Sequence, residues 1–393
     1  MKKVVLAYSG GLDTSCIVRW LCDREFEVIC FVADLGQGLG KGENFEEIEA
    51  RALAAGASKV YIKDLQDEFV DDFIVPALKA NAIYEGKYLL ATALGRPLIA
   101  KYLVEVAHKE KAGFVAHGCT GKGNDQVRLE VTIGILDPKI EIIAPVREWE
   151  FKSREEEIDY ALANNIPIDV TKKKPYSIDR NIWGISIEAG ILEDLEQEPP
   201  EDAYMITKSP SQGSTYPKYI EITFEKGVPK KLNGKSGKLK SIIEELNLVG
   251  GQYGIGRYDM VENRLVGIKS REVYEAPAGT ILYTAHRELE SLVLDRELAH
   301  YKEMISLKYS ELIYYGLWYS HLKESLDGFM NASQKYVSGT IKLKLSKGTC
   351  VAVGRRSAHS LYKKELSTYG KDDKFNQKLA EGFIKLWAMP YKR

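Results

Sequence analysis

Lys3-Val4-Val5-Leu6-Ala7-Tyr8-Ser9-Gly10-Gly11-Leu12-Asp13-Thr14-Ser15 decides how the rest of the chain is read. An apolar run, Lys3–Tyr8, predicts a strand. It breaks at two glycines, and a helical pattern, Asp13–Arg24, follows. The glycines let the backbone turn tightly and approach a bulky anion with no Cβ in the way. A helix N-terminus directly after them offers unpaired N–H groups and partial positive charge. Ser9, Thr14 and Ser15 add hydroxyls around the same point, so the segment is expected to cradle phosphate. No Lys follows the glycines, which separates it from the G-x-x-x-x-G-K-[ST] loop, and the G-x-G-x-x-G spacing is absent too. Asp13 in the first turn reads either as an acid matching the helix dipole or as an organiser of Mg²⁺ on pyrophosphate.

Outward from this loop, strands are predicted at Glu27–Val32, Lys59–Ile62, Gly113–His117 and Lys139–Ile143. Helical patterns at Asn44–Ala55, Gln66–Ala80 and Arg96–Lys111 alternate with them. Continuous apolar strands alternating with helices imply a parallel sheet covered on both faces. Ligands bind such sheets beyond the carboxyl ends of the strands, where strand order reverses. A charged helix over Ser153–Asn164 ends this region, and the boundary is expected near 165–172, beside Lys172-Lys173-Lys174-Pro175. Beyond it Tyr219–Phe224 alternates with Ile220, Ile222 and Phe224 inward, and Asn233-Gly234 signals a hairpin. A helix at Leu239–Leu246, strands near Gly256–Ile268 and Thr280–Thr284, and long helices at Glu288–Ser306 and Ser310–Leu326 are expected. A β segment at Val337–Leu345 and Cys350–Gly354 precedes a loop, Thr368–Lys374, and a last helix, Asn376–Trp387.

The fold class is therefore α/β: a doubly wound parallel-sheet nucleotide-binding domain (1–168), an α+β synthetase domain (169–360) and a C-terminal helical arm (361–393). At 393 residues, two domains is the natural division. A formal charge of −1 gives no global field for nucleic acid or an anionic membrane. The strongest basic run, Lys226–Lys240, carries six lysines without interleaved aromatics and reads as a solvated hairpin face. Five cysteines without a C-x-x-C pair argue against a disulfide framework and against a zinc site. The apolar start is too short for a signal segment and no stretch reaches a membrane span, so a cytoplasmic protein is expected.

A second Gly-rich segment, His117-Gly118-Cys119-Thr120-Gly121-Lys122-Gly123-Asn124-Asp125-Gln126-Val127-Arg128, leaves the strand ending at Ala116. It reads as a loop holding the groups needed to grip an amino acid by both charged ends. Arg128 suits a carboxylate. Asp125 suits an ammonium group or, less readily, its proton. A solvated polar loop is the alternative reading.

Strand-S-G-G-x-D-[ST]-S-helix resembles the loop of the ATP pyrophosphatases, which cleave ATP between the α- and β-phosphates. Together Ala7–Ser15, Tyr84–Pro97, His117–Arg128, Pro175–Ser177, Ile185–Leu192 and Val261–Tyr274 resemble the argininosuccinate synthase family, in order and across essentially the whole chain. The resemblance implies ligation of citrulline to aspartate through an adenylated citrulline, using ATP with Mg²⁺ and releasing AMP and pyrophosphate, in a cytoplasmic homotetramer. It implies ATP contacts from Ala7, Tyr8, Ser9, Gly10, Gly11, Leu12, Asp13, Thr14, Ser15, Ala33 and Gly118. Aspartate would fall to Thr120, Asn124 and Asp125. Citrulline would fall to Tyr88, Asn124, Arg128, Ser177, Ser186, Glu262 and Tyr274. Asp13, Ser15, Lys122 and Asp125 are the expected catalytic groups, with no metal fixed by the protein alone. Ala93 stands where relatives often carry Ser, Ile185 where some carry Arg, and Gly36–Gly42 reads as a short insertion. Rival readings are another pyrophosphatase-loop enzyme, such as a tRNA thiolase, and a non-catalytic nucleotide-binding module. The first needs reactive cysteines, and the second needs neither Thr120–Arg128 nor Glu262 and Tyr274.

Overall fold

The structure, a computed structural model, describes residues 2–38, 44–151, 153–167, 176–214 and 216–392. The proposed domain boundary at 168 and most of the Gly36–Gly42 insertion lie outside the described residues. So do Lys172–Lys174 and Pro175.

Five strands, β1 (Lys2–Ala7), β2 (Phe26–Asp34), β3 (Lys59–Asp64), β4 (Phe114–Ala116) and β5 (Glu141–Ile143), form one sheet in the order β3-β2-β1-β4-β5. Every pairing in it is parallel. Side chains alternate between its faces. Val4, Leu6, Val28 and Cys30 pack against helices α1 (Leu12–Cys22) and α2 (Phe45–Ala54) on one side. Val5, Ile29, Phe31 and Val115 pack on the other, where the long helix α5 (Ala91–Glu110) runs. Being covered on both faces is what makes these strands near-continuous apolar runs. Strand order reverses at β1, with β2 on one side and β4 on the other, and the loops after β1 and β4 emerge side by side. That position is where doubly wound sheets bind ligands.

The helix expected over Gln66–Ala80 is interrupted. A turn α3 (Gln66–Glu68) passes through a π-helical stretch (Phe69–Ile74) into α4 (Val75–Lys79). The next helix, α5 (Ala91–Glu110), starts five residues before its expected first residue, because Leu90 adopts left-handed backbone (φ 66°) and turns the chain into it. Thr92 thereby becomes helical, and Arg96 moves from the helix's first position into its second turn. The segment His117–Arg128 is not wholly loop: α6 (Asn124–Leu136) begins within it, with Gly123 extended as the residue before its first turn. Asn124, Gln126 and Arg128 are buried, which rules out the solvated-loop reading for the second half of the segment. The charged helix is α7 (Arg154–Ala163), capped by Ser153 Oγ on the Glu156 N–H, and it packs beside α1.

Beyond residue 175 there are two antiparallel sheets. One joins β6 (Ser177–Asn181) and β7 (Gly184–Glu188) to a hairpin formed later in the chain. The other contains β8 (Lys218–Glu225), β9 (Val228–Leu232) and β10 (Lys235–Ser236), followed by α8 (Leu239–Gln252). Ile220, Ile222 and Phe224 face inward as expected, and Asn233 and Gly234 take positive φ between β9 and β10. The hairpin β11 (Arg257–Asn263) and β12 (Lys269–Glu275) completes the first of these sheets in the order β11-β12-β7-β6. Thr280–Thr284 is helical, not a strand. Pro277 opens α9 (Pro277–Val293), which buries Ala278, Ile281, Leu282, Ala285 and Leu289 at helical spacing. This packing overrides the β preference of its threonines. Asp295 then caps α10 (Arg296–Tyr314) and Ser320 caps α11 (His321–Ser333), so the two expected long helices divide elsewhere. Strands β13 (Gly339–Ser346) and β14 (Thr349–Arg356) finish the second sheet, β10-β9-β8-β13-β14. The chain ends in α12 (Lys364–Ser367) and α13 (Lys378–Ala388). No described helix is long and apolar enough to cross a membrane.

Candidate active site

A cleft of about 680 Å³ opens over the carboxyl ends of β1 and β4 and is closed on its far side by β6, β7 and the β11–β12 hairpin. Its floor is the phosphate loop. Tyr8 continues β1 by donating its N–H to Phe31 O at 2.9 Å. Gly10 then turns at φ +78°, where a Cβ would come within 3.1 Å of Ile48. Ser9 Oγ lies 3.1 Å from Thr14 Oγ1. Beneath them Ser15 Oγ donates to Gly11 O and meets Tyr8 Oη, both at 2.8 Å, and burial pushes the Tyr8 phenol up to about 12. Ala7, Tyr8, Ser9, Gly11, Leu12, Asp13, Thr14 and Ala33 line the cleft, whereas Gly10 and Ser15 lie behind it. Ser15, expected among the reacting groups, is fully buried here and bonded to the loop's own atoms. The second loop presses onto the first, since a Cβ on Gly118 would meet Thr14 Cγ2 at 3.3 Å and Ile17 at 3.1 Å.

The other half of the cleft is dense with charge. Asp125 takes hydrogen bonds from Arg96 Nη2 and Arg128 Nη1, both at 2.8 Å. Arg96 also binds Asp179. Although burial works against its charge, the two guanidiniums hold the Asp125 carboxyl down at about 2. A carboxylate held in its charged form in this way suits an ammonium better than a free proton. Arg128 is buried, with Nε donating to Tyr314 O at 2.9 Å and its guanidinium 4.7 Å from the Tyr314 ring. It is a clamp already locked in place, with N–H groups left over on Nη1 and Nη2.

Asn124 connects this layer to the second domain. Its Oδ1 accepts from Leu265 N at 2.9 Å, and its Nδ2 donates to Tyr314 Oη at 2.7 Å. Tyr314 and Tyr274 both donate to Glu262 at 2.5 Å. Burial raises the Glu262 carboxyl above its usual range, with the two phenols acting against that. Tyr88 stacks on Tyr274 with ring centres 4.2 Å apart. The Tyr88 hydroxyl accepts from Thr92 N and Ala93 N, which aims its own proton at the cleft. Thr92 Oγ1 lies 2.9 Å from Ser186 Oγ and lines the cleft beside Ala93, the position where relatives were expected to carry a hydroxyl. Ser177, Ser186, Gly118 and Thr120 also line the cleft, but the exposed Lys122 does not. The Lys122 backbone carbonyl accepts from Arg264 Nη1 at 3.2 Å, so the structure gives this loop position a tether and leaves its ammonium outside.

Sequence reasoning missed Arg96, Asp179, Glu188, Arg264 and Glu272, all of which line the cleft. Arg264 bridges Glu188 (2.5 Å) and Glu272 (2.6 Å). Burial first, and then repulsion from Glu188, pushes the Glu272 carboxyl up to about 8. Some signal was present: Asp179 follows Ser177 by two positions and Glu272 precedes Tyr274 by two, so strand alternation puts each pair on one face.

Comparison with known proteins bears on the whole chain. The family model for the arginosuccinate synthase N-terminal HUP domain matches residues 3–167, and that for the arginosuccinate synthase C-terminal domain matches residues 176–393. A curated argininosuccinate synthase from Desulfitobacterium hafniense is 56% identical over 393 residues, covering 100% of this chain and 97% of the relative. One from Caldanaerobacter subterraneus subsp. tengcongensis is 57% identical over 392 residues, covering 100% and 95%. One from Dictyoglomus turgidum is 56% identical over 389 residues, covering 99% and 96%.

Proposed function

The chain belongs to the argininosuccinate synthase family, and from that premise we propose how its cleft joins L-citrulline to L-aspartate. The activity is an ATP-dependent ligation within arginine biosynthesis that releases AMP and pyrophosphate. One observation carries the reading: a backbone-lined phosphate loop and a wall of paired acids, guanidiniums and tyrosines face each other across a single cleft.

The ureido carbon of citrulline is a poor electrophile because two nitrogens donate into its carbonyl. Attack of the ureido oxygen on the α-phosphorus breaks the bond to the β-phosphate oxygen, and pyrophosphate leaves with the electron pair. The aspartate amine then attacks the ureido carbon, loses a proton, and AMP departs with the C–O electrons. No protein nucleophile is required, so catalysis rests on positioning and on stabilising phosphate charge.

Ala7–Ser15 with Ala33 and Gly118 hold ATP in this reading. Arg128 and the hydroxyls of Ser177 and Ser186 hold the citrulline carboxylate, and Glu262, braced by Tyr274 and Tyr314, holds its ammonium. Tyr88 offers its proton to the same substrate. Thr120, Asn124 and Asp125 hold aspartate. Asp13, which lines the cleft in the first turn after the phosphate loop, would hold a Mg²⁺ carried in on the nucleotide. Beside it Glu157 keeps Oε2 buried without a hydrogen-bond partner, and burial and Asp13 push its carboxyl up to about 8. Two hard oxygen donors next to phosphates fit that ion. When bound, Mg²⁺ would neutralise charge on the departing pyrophosphate.

The test is direct. Purified protein with ATP and Mg²⁺ should release AMP and pyrophosphate only when citrulline is present, and argininosuccinate only when aspartate is added. Formation of ADP, or turnover indifferent to citrulline, would end the reading. Helix α13 leaves Leu379, Phe383, Leu386 and Trp387 exposed, and we assign it to contacts between copies in a cytoplasmic tetramer. Light scattering that gives a chain ending at Ser367 the same number of copies per assembly as the full chain would refute that assignment.

A further inference from the structure

A phosphate loop of this kind faces a charge problem that the family reading leaves open. Cleavage between the α- and β-phosphates builds negative charge on a departing pyrophosphate, and backbone N–H groups supply only partial positive charge. Loops with a following Lys solve this within the loop itself. Here positions 12 to 15 are Leu, Asp, Thr and Ser, so the nearest side-chain charge is negative. Mg²⁺ carried by the nucleotide would offset part of that charge, and any side-chain cation that adds to it has to come from another element.

The cleft contains several guanidiniums, and their surroundings separate them. Arg96, Arg128 and Arg264 are tied to carboxylates in the amino-acid half, at Asp125, at Asp179 and at the Glu188–Glu272 pair. Withdrawing any of them would strand a partly or fully buried acid. Arg154 is different. It is the first residue of α7, which packs beside α1, and it lines the cleft with an exposed side chain. Glu157 follows it by three residues and so shares its face of the helix. That same Glu157 is the acid set against Asp13 of the phosphate loop, and its backbone carbonyl accepts from Cys16 Sγ of α1 at 3.5 Å. Two helices therefore lock the base of Arg154 beside the loop while its long stem stays free to reach.

We propose that Arg154 is the positioning cation for the pyrophosphate half of ATP, supplied by α7 in place of the Lys that the loop lacks. A planar guanidinium can bridge two phosphate oxygens, and it remains charged throughout the working pH range.

This inference rests on the proposed reaction, so the experiment separates the two. Inorganic pyrophosphate and AMP are titrated calorimetrically, each with Mg²⁺, into the full-length parent, Arg154→Ala, Arg154→Lys and Arg180→Ala. Arg180 is a second cleft-lining arginine, on β6, and serves as the control for a general loss of charge. Losing a charge-assisted contact should weaken pyrophosphate binding of Arg154→Ala by about tenfold to a hundredfold, with Arg154→Lys in between. AMP affinity should stay within about twofold in every variant, which also shows that each is folded. In turnover, KM for ATP should rise in Arg154→Ala with KM for citrulline unchanged. Pyrophosphate affinity equal to the parent's in Arg154→Ala, or an equal loss in Arg180→Ala, would overturn the proposal. Citrulline-dependent AMP release by the parent tests the underlying reaction separately.

Discussion

The two halves of the cleft recognise their ligands by opposite means. The nucleotide half is built mainly on one short stretch, Ala7–Ser15, in which glycines and a helix terminus present backbone donors and side chains mainly brace the loop, with Ala33 and Gly118 beside it. The amino-acid half is assembled from α5, α6, β6, β7, the β11–β12 hairpin and the end of α10, and it works through buried charges that hold one another in place. A backbone cradle tolerates loss of a single hydroxyl, because no one donor dominates. A charge network does not, because removing one ion leaves its partner buried and unpaired.

The largest effect expected from this contrast is at Arg128. Arg128→Ala strips Asp125 of one of its two guanidiniums and leaves Tyr314 O without its donor. The expected cost is about 3 kcal/mol of stability and at least about a hundredfold in kcat/KM for citrulline. ATP affinity, set in the other half, should change by less than about threefold. Chemical denaturation and nucleotide titration of the same sample check both. A loss of ATP affinity as large as the loss for citrulline would show that the halves are not separable.

The same contrast explains what the sequence made legible. Ser9–Ser15 could be read because everything it needs lies within seven residues between a strand and a helix. Most of the strands and their parallel, doubly covered sheet followed from apolar periodicity, which local sequence carries, whereas the strand order came only from the folded chain. The charge network could not be read in this way. Arg96 and Asp179, like Arg264 and Glu188, are far apart in the chain, and each alone is an ordinary charged residue; only folding brings each pair within hydrogen-bonding reach. The helix beginning at Asn124 was hidden by the same glycines that marked the loop, and Thr280–Thr284 by β-branched residues whose packing, once Pro277 starts a helix, outweighs their preference.

An intermediate effect is expected at Glu272, where the network carries a pH signature. Its carboxyl sits at about 8 in the folded protein, against about 4.3 for an ordinary Glu in an unfolded chain. The folded state therefore holds a proton that the unfolded state has lost across that interval. The stability this provides is complete below the unfolded value and drains away as pH rises through about 8. Glu272→Gln, permanently neutral, should flatten this slope and raise stability at pH 8.5 by on the order of 2 kcal/mol relative to the parent. Denaturant midpoints measured from pH 5 to 9 decide it; parallel curves for the two proteins would place the buried charge elsewhere.

The smallest effect is expected from a hydroxyl in the nucleotide half, and it sharpens the comparison most. Ser15 is fully buried, donates to Gly11 O and meets Tyr8 Oη, yet it lies behind the cleft surface. If its work is to hold the turn, Ser15→Ala should cost about 1 kcal/mol of stability, the net value of a neutral hydrogen bond, with KM for ATP rising less than about fivefold. The Tyr8 hydroxyl would then lose its partner but not its place, because the Tyr8 backbone stays paired to β2 through Phe31. A fall of about a hundredfold or more in kcat with normal stability would instead mean that Ser15 reaches the reacting phosphate once nucleotide is bound. The nucleotide half would then depend on single side chains after all, as the amino-acid half does.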